Sequence, residues 1–270
     1  MTSTPGPNAA RPRRTARVLR LVLVALVGIV VGLAAFRAVP IIREHLQTAR
    51  STAEFDPPVW AGQVVPAPCA TGGFYARRDA AIVLTISAHC YGATPDTPMR
   101  DAEGRIVGVF GPAAELPDCP EGRFCAPSDF LTVALAPERI PWGHLNLVDF
   151  GAGGYRTIPA GTAPLACGDI HEGDRAEVNG NEHYRQGTVV SVGRYEFPTD
   201  TIFPCMVITD IEAMYGDSGG AVLVNDRPAG ITAREISGYL AFTPLAEGLD
   251  NLGLVLCTTP DCDMSPDAAT

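Results

Sequence analysis

An all-β domain, built as a barrel or a sandwich, is what this 270-residue sequence predicts for most of its length. From about Val59 onward the apolar runs are short and of strand length. Glycine and proline, 28 and 24 of them in the whole chain, break up the intervals, and no long stretch there repeats apolar residues at helical spacing. The strand-like runs are Ala81–Ser87, Ile106–Phe110, Leu131–Leu135, Thr188–Val192, Met206–Ile211, Ala221–Val224 and Gly230–Ala233. Hydrophobic residues make up 46% of the chain, enough to fill a core.

Ahead of that domain the composition changes. Residues 1–50 carry eight arginines and one glutamate, residues 51–270 carry twelve arginines and 29 acids, and lysine is absent throughout. So acidic a domain excludes nucleic acid as an expected partner. Residues 1–17 read as a basic cytoplasmic tail. The sixteen apolar residues from Leu21 to Phe36 follow Arg11, Arg13, Arg14, Arg17 and Arg20, which leaves the N-terminus in the cytoplasm and the remainder outside. That run is short of the roughly 20 residues a bilayer needs, but Arg20 and Arg37 can reach the two interfaces. The expectation is a transmembrane helix over 18–39. The competing reading is a cleaved signal peptide, whose apolar core of about 7–15 residues ends in small residues such as Gly32-Leu33-Ala34. On either reading the domain is exported, anchored to the membrane in one case and secreted in the other. Residues 40–58 form a stalk closed by Asp56-Pro57-Pro58, and the folded domain takes 59–270.

Eight cysteines, Cys69, Cys90, Cys119, Cys125, Cys167, Cys205, Cys257 and Cys262, all lie beyond the apolar segment. An even count confined to the exported part predicts disulfides. Spacing alone assigns no pairs.

Two motifs point to chemistry: Thr85-Ile86-Ser87-Ala88-His89-Cys90 and Gly216-Asp217-Ser218-Gly219-Gly220. A serine hydroxyl is a weak nucleophile near neutral pH, so it needs a base beside it and donors over the developing oxyanion. Glycines around Ser218 permit a sharp turn that exposes the hydroxyl, with the N–H groups of Gly216 and Ser218 as the natural oxyanion donors. The pentapeptide also fits the nucleophile elbow of α/β-hydrolases, in which the histidine follows the serine. Here His45, His89, His144, His171 and His183 all precede Ser218, which leaves an elbow without its base. A subtilisin order needs an aspartate before the histidine; Asp79 is available, but nothing around it has the required strand-end setting. Alone, a serine among glycines is a turn residue and a histidine beside a cysteine is structural. The order His, Asp, Ser across two motifs is what carries the signal. His144, His171 and His183 have no such context and read as solvated loop residues without zinc-ligand spacing.

The run from Ile82 to Cys90 resembles the strand and histidine motif of trypsin-like serine proteases, and Gly216 to Gly220 resembles their serine motif. The likeness covers roughly residues 64–256. Cys167-Gly168-Asp169-Ile170 and Gly187–Val192 resemble the start of the second barrel in secreted bacterial members, and Thr243-Pro244-Leu245 through Leu252-Gly253-Leu254 resembles their C-terminal helix after the last strand. The resemblance implies two six-stranded antiparallel β-barrels with a short C-terminal helix. It places His89 and Asp129 on the first barrel, Ser218 on the second and the site in the cleft between.

Asp129 is the candidate acid because it opens the apolar run Asp129–Leu135, as the family's aspartate does, 40 residues after His89 and 89 before Ser218. Asp101 and Asp118 sit in turn-rich stretches, and Asp149 precedes a glycine-rich loop. The resemblance also pairs Cys90 with Cys69, a bridge of about 3 kcal/mol by the chain-entropy model. Cys119–Cys125 and Cys257–Cys262 then close small local loops, leaving Cys167 with Cys205. No cofactor or metal is implied, and the expected partner is a peptide or protein substrate.

Three departures bear on specificity and activation. The strand that pairs with substrate backbone reads Gly230-Ile231-Thr232-Ala233-Arg234-Glu235, so charged side chains stand where the family has an aromatic residue and a glycine. Ala233, Arg234 and Glu235 are therefore candidate substrate-binding residues that narrow or recharge the groove. Glu212, six before the serine, is a candidate base of the primary pocket and would favour basic side chains. Ahead of Cys69 no Ile-Val-Gly-Gly type of terminus exists to supply a freed amine, so Asp217 needs a donor that the sequence does not specify. The leading expectation is a membrane-anchored extracytoplasmic serine endopeptidase. The alternatives are a catalytically silent, protease-like binding module with an occluded groove and an ester hydrolase on the same triad.

Overall fold

Short apolar runs bury nothing by themselves and have to pair; in the computed structural model of the chain they do so almost wholly antiparallel. Residues 58–65, 71–90, 95–101, 104–116, 118–121, 123–180, 183–197 and 201–262 are described. The tail and anchor, the stalk up to residue 57, and Cys69 lie outside the described residues. Among those described, no helix is long and apolar enough to cross a membrane.

In chain order the strands are β1 (Tyr75–Arg78), β2 (Ala81–Ser87), β3 (Pro98–Arg100), β4 (Ile106–Ala113), β5 (Phe124–Cys125), β6 (Phe130–Leu135), β7 (Leu147–Asp149), β8 (Tyr155–Thr157), β9 (Arg175–Gly180), β10 (His183–Glu196), β11 (Thr201–Glu212), β12 (Ala221–Val224), β13 (Arg227–Ile236) and β14 (Tyr239–Pro244), then helix α1 (Leu245–Asn251) and β15 (Val255–Leu256).

One sheet runs β15-β1-β2-β6-β4-β3. On β2, Ile82, Leu84 and Ile86 alternate with residues on the other face, and Leu84 and Ile86 stand opposite Val133 and Leu131 of β6. They pack with Phe74, Tyr75, Met99 and Phe130 into one core. The odd positions Thr85 and Ser87 are buried too, because the segment at Thr71–Gly73 and the loop at Gly219 cover that face. The Thr85 hydroxyl accepts the Phe74 N–H at 2.8 Å.

The other sheet runs β10-β9-β12-β13-β14-β11, and β10 pairs again with β11, so six strands close into a barrel; β5 joins β11 in parallel outside the ring. Val178, Val207, Val222, Val224, Leu240 and Phe242 fill it. Two closed barrels were expected, and one is found. Among the described residues the first sheet ends at β3 and β15, and edge strands of three and two residues offer too few backbone groups to close a ring.

β9 has no apolar run in the sequence because Glu177 and Asn179 interrupt it. Both are buried on the face opposite Ala176 and Val178. Glu177 accepts from Tyr184 at 2.9 Å and Arg156 at 3.1 Å and pairs with Arg175, while the Asn179 amide donates to Gly62 O at 2.9 Å and Asp149 O at 2.8 Å. Satisfied polar groups can be buried, so polarity hid a central strand.

Cys119–Cys125, Cys167–Cys205 and Cys257–Cys262 are bonded as expected. The second spans 38 positions, about 4 kcal/mol by the chain-entropy model. Cys90 is disulfide-bonded. The helix is not the last element: β15 follows it and returns to β1, with Leu256 opposite Ala76.

Helix α1 lies directly on Phe130. A Cβ at Gly248 would stand 2.2 Å from Phe130 Cε1 and 2.7 Å from Ser128 Cβ, and Phe130 is fully buried with nowhere to turn. Gly248→Ala should therefore destabilise the fold by about 1–3 kcal/mol in urea unfolding, although alanine is the better helix former. A gain in stability would show that the helix does not press on this strand.

Candidate active site

Asp129 sits at the lead of β6, beside the ring that the helix clamps. Its backbone N–H donates to Thr243 Oγ1 on β14 at 2.8 Å, and Ser128 Oγ lies 3.0 Å from the same hydroxyl. One aspartate is thereby tied to the other sheet. Its side chain is almost fully buried and turns both oxygens to His89: Oδ1 accepts the His89 N–H at 3.2 Å, and Oδ2 lies 2.5 Å from Nδ1. The carboxylate accepts from Nδ1–H, so Nε2 is left to accept. Nε2 faces Ser218 Oγ at 3.0 Å. Ser87, absent from the candidates read in the sequence, is fully buried under the ring, its hydroxyl 2.7 Å from Nδ1 and 3.5 Å from Asp129 Oδ2.

The loop carrying Ser218 is held from three directions. Ser218 O accepts the Thr71 N–H at 2.7 Å, Gly216 O accepts the Thr71 hydroxyl at 2.9 Å, and the Gly219 N–H donates to Thr232 O at 2.8 Å. Gly219 has φ +85°, and a Cβ there would meet Thr71 O at 2.3 Å and Ser87 N at 2.9 Å. Only glycine satisfies both the backbone angle and the close approach. No hydrogen bond among the described residues engages the N–H of Gly216 or Ser218.

Asp217 is buried behind this turn. Its carboxylate accepts the Met214 N–H at 2.7 Å and forms an ion pair with Arg185 of β10. Burial pushes its carboxyl above the ordinary carboxylate range, while Arg185, the Met214 N–H and His183 pull the other way. The donor that the sequence left unspecified is thus a guanidinium fixed in the barrel wall. Its signal was faint, an arginine in a mixed polar stretch whose facing residue only the folded chain determines.

A cavity of about 580 Å³ opens over Ser218, lined by His89, Phe197, Ala213–Ser218 and Thr232–Glu235. Ala233, Arg234 and Glu235 line it, and they leave it open. Glu212 does not line it. It lies exposed at the end of β11, where its carbonyl accepts from Arg185, because the register with Tyr239 of β14 carries its side chain away from the cavity. His144, His171 and His183 are exposed, and no cluster of His, Cys, Asp or Glu able to hold a metal occurs among the described residues.

This arrangement of sheets is the fold of the chymotrypsin-like bacterial serine proteases. Among solved structures, a Nocardiopsis protease is 20% identical with TM-score 0.54, the match covering 74% of this chain and 98% of that one. Thermobifida fusca protease A is 21% identical with TM-score 0.53 over 74% of this chain and 98% of its own. A glutamic acid specific serine protease, described as using a histidine triad in substrate binding, is 20% identical with TM-score 0.53, covering 73% of this chain and all of that one. No protein-family model matches the sequence, and no curated protein does.

Arg185→Met removes the cation beside Asp217 and drives the carboxyl further up. A carboxyl whose folded pKa lies above its unfolded value of about 3.9 opposes folding at neutral pH. That opposition is full above the raised folded pKa, fades as the pH falls through it and is gone below the unfolded value. Urea unfolding should find the variant less stable by about 3–5 kcal/mol at pH 7 and by much less at pH 4. Equal losses at both would place the effect elsewhere.

Proposed function

We propose that the chain is a serine endopeptidase. What carries the reading is the unbroken line of contacts Asp129 to His89 to Ser218, opening on a cavity within a protease fold. Ser218 Oγ attacks the scissile carbonyl while His89 Nε2 takes its proton, and the imidazolium then returns the proton to the leaving amine. Asp129 fixes the tautomer through Nδ1–H and stabilises the imidazolium. Ser87 crowds the same nitrogen and restricts the ring to that orientation. The oxyanion forms against the N–H groups of Gly216 and Ser218, which have no acceptor among the described residues to release first. Water then attacks the acyl-enzyme by the same steps.

Supporting turnover over a silent binding module is the open cavity above Ser218, since an occluded groove was the premise of the silent reading. The basic tail and apolar segment support an extracytoplasmic setting for the domain, tethered through 18–39 or released by cleavage. Peptide and protein substrates need no cofactor for this chemistry.

The full chain in detergent should be labelled by a fluorophosphonate, and Ser218→Ala should lose the label together with at least about 10⁴-fold in peptide hydrolysis. A folded chain that takes no label and cleaves no peptide would end the proposal.

A further inference from the structure

The cavity beside Ser218 holds a cation that no described residue neutralises. Arg234 follows a bulge between β13 and β14: Thr232 pairs with Phe242 and Arg234 with Ala241, so Ala233 is the extra residue. A bulge of this kind re-aims the side chains beyond it. Ala233 sinks into the apolar cluster with Phe203 and Met206, and Arg234 turns to the cavity wall, its guanidinium 4.5 Å from the centroid of the Phe197 ring. Phe197 is itself braced, 4.7 Å from Tyr195 and edge-on to Phe203 at 6.0 Å. The cation therefore rests on a built platform.

Arg234 makes no ion pair with any described residue, and its Nε is buried with no hydrogen-bond partner. The Thr232 hydroxyl, two residues back in the same lining, is also buried and unpartnered. Of the other ionisable groups on the cavity, Asp217 is taken by Arg185, His89 by Asp129, and Glu235 accepts the Gly238 N–H at 3.1 Å on the exposed side. An arginine N–H only donates, and a buried donor without an acceptor is costly. The Arg234 guanidinium, in the cavity lining with no acid beside it among the described residues, calls for an acceptor that arrives with the substrate.

Resting on the endopeptidase reading, we propose that Arg234 selects substrates carrying a carboxylate side chain, glutamate or aspartate, on the residue that contributes the scissile carbonyl. With that carbonyl at Ser218 Oγ, its side chain falls between the 213–218 and 232–235 walls, where the Arg234 guanidinium donates to the acid. The ring of Phe197 keeps the guanidinium in plane for that contact. This charge preference is opposite to the one that Glu212 suggested in the sequence, and the reversal follows from Glu212 facing solvent and Arg234 facing the cavity.

The test uses the full chain in detergent with two internally quenched, C-terminally amidated peptides that differ only by Glu or Gln before the scissile bond. The Glu peptide should have the higher kcat/KM by at least about tenfold. Arg234→Gln should bring the ratio near one, Arg234→Lys should leave it intermediate, and Arg234→Glu should turn the preference to a Lys peptide. Equal rates for Glu and Gln, or a ratio that survives Arg234→Gln, overturn the assignment. Calorimetric titration of Ser218→Ala with the same peptides reads charge recognition without turnover. Tighter binding of Glu in a chain that hydrolyses neither peptide sustains this proposal and removes the endopeptidase reading. Hydrolysis of both without discrimination does the reverse, and no difference in affinity overturns the role of Arg234.

Discussion

A carboxylate taken out of water and set beside an imidazole must be surrounded by donors, and holding Asp129 where it meets them recruits both sheets. The histidine offers its own N–H and its ring nitrogen from the end of β2, and Thr243 on β14 receives the aspartate's backbone N–H. Helix α1, which follows Thr243 directly, presses Gly248 onto Phe130, the residue after Asp129. Packing and polarity therefore converge on one point. A shift of α1 against β6 would move the acid, the ring and the angle from which the ring meets Ser218.

The serine loop solves a second version of the same problem. Asp217 is buried just before Ser218, and its two oxygens go to the Met214 N–H and to Arg185. The carboxylate acts as a nail: it fixes the turn from Met214 to Ser218 from behind while Thr71 fixes it from the side. The carbonyls of Gly216 and Ser218 are occupied by Thr71, and no described residue accepts from their N–H groups. An arginine anchored in a barrel strand supplies the positive charge from within the folded chain and needs no newly cut terminus.

Charge pairing then divides the cavity into settled and unsettled groups. Asp217 and His89 have internal partners, and Arg234 has a ring beneath it but no acid beside it. In a domain where acids outnumber arginines by more than two to one, a guanidinium beside Ser218 with no ion pair among the described residues is a local exception to the overall charge. Its placement depends on a single extra residue in one strand.

Local pattern was enough for the strands written as short apolar runs, β2 and β6 above all, and for the motifs that put His89 and Ser218 beside glycines, a cysteine and an apolar run. The three bonded cysteine pairs needed the family resemblance as well, which pairs Cys90 with Cys69 and so leaves Cys167 to Cys205. Those strands and motifs are legible because each is written within a few consecutive residues. β9 was not, since Glu177 and Asn179 look solvated until Arg156, Tyr184, Gly62 and Asp149 close around them. Nor were Arg185, Thr243, Ser87 and Phe197, whose roles arise from contacts across 114 positions in the case of Thr243 and 32 in that of Arg185. The order of residues alone determined which chemistry this chain could attempt. Which acid side chain meets which donor, and whether Glu212 or Arg234 faces the cavity, was decided by strand register and one bulge, because a shift of a single residue in a strand exchanges one face for the other.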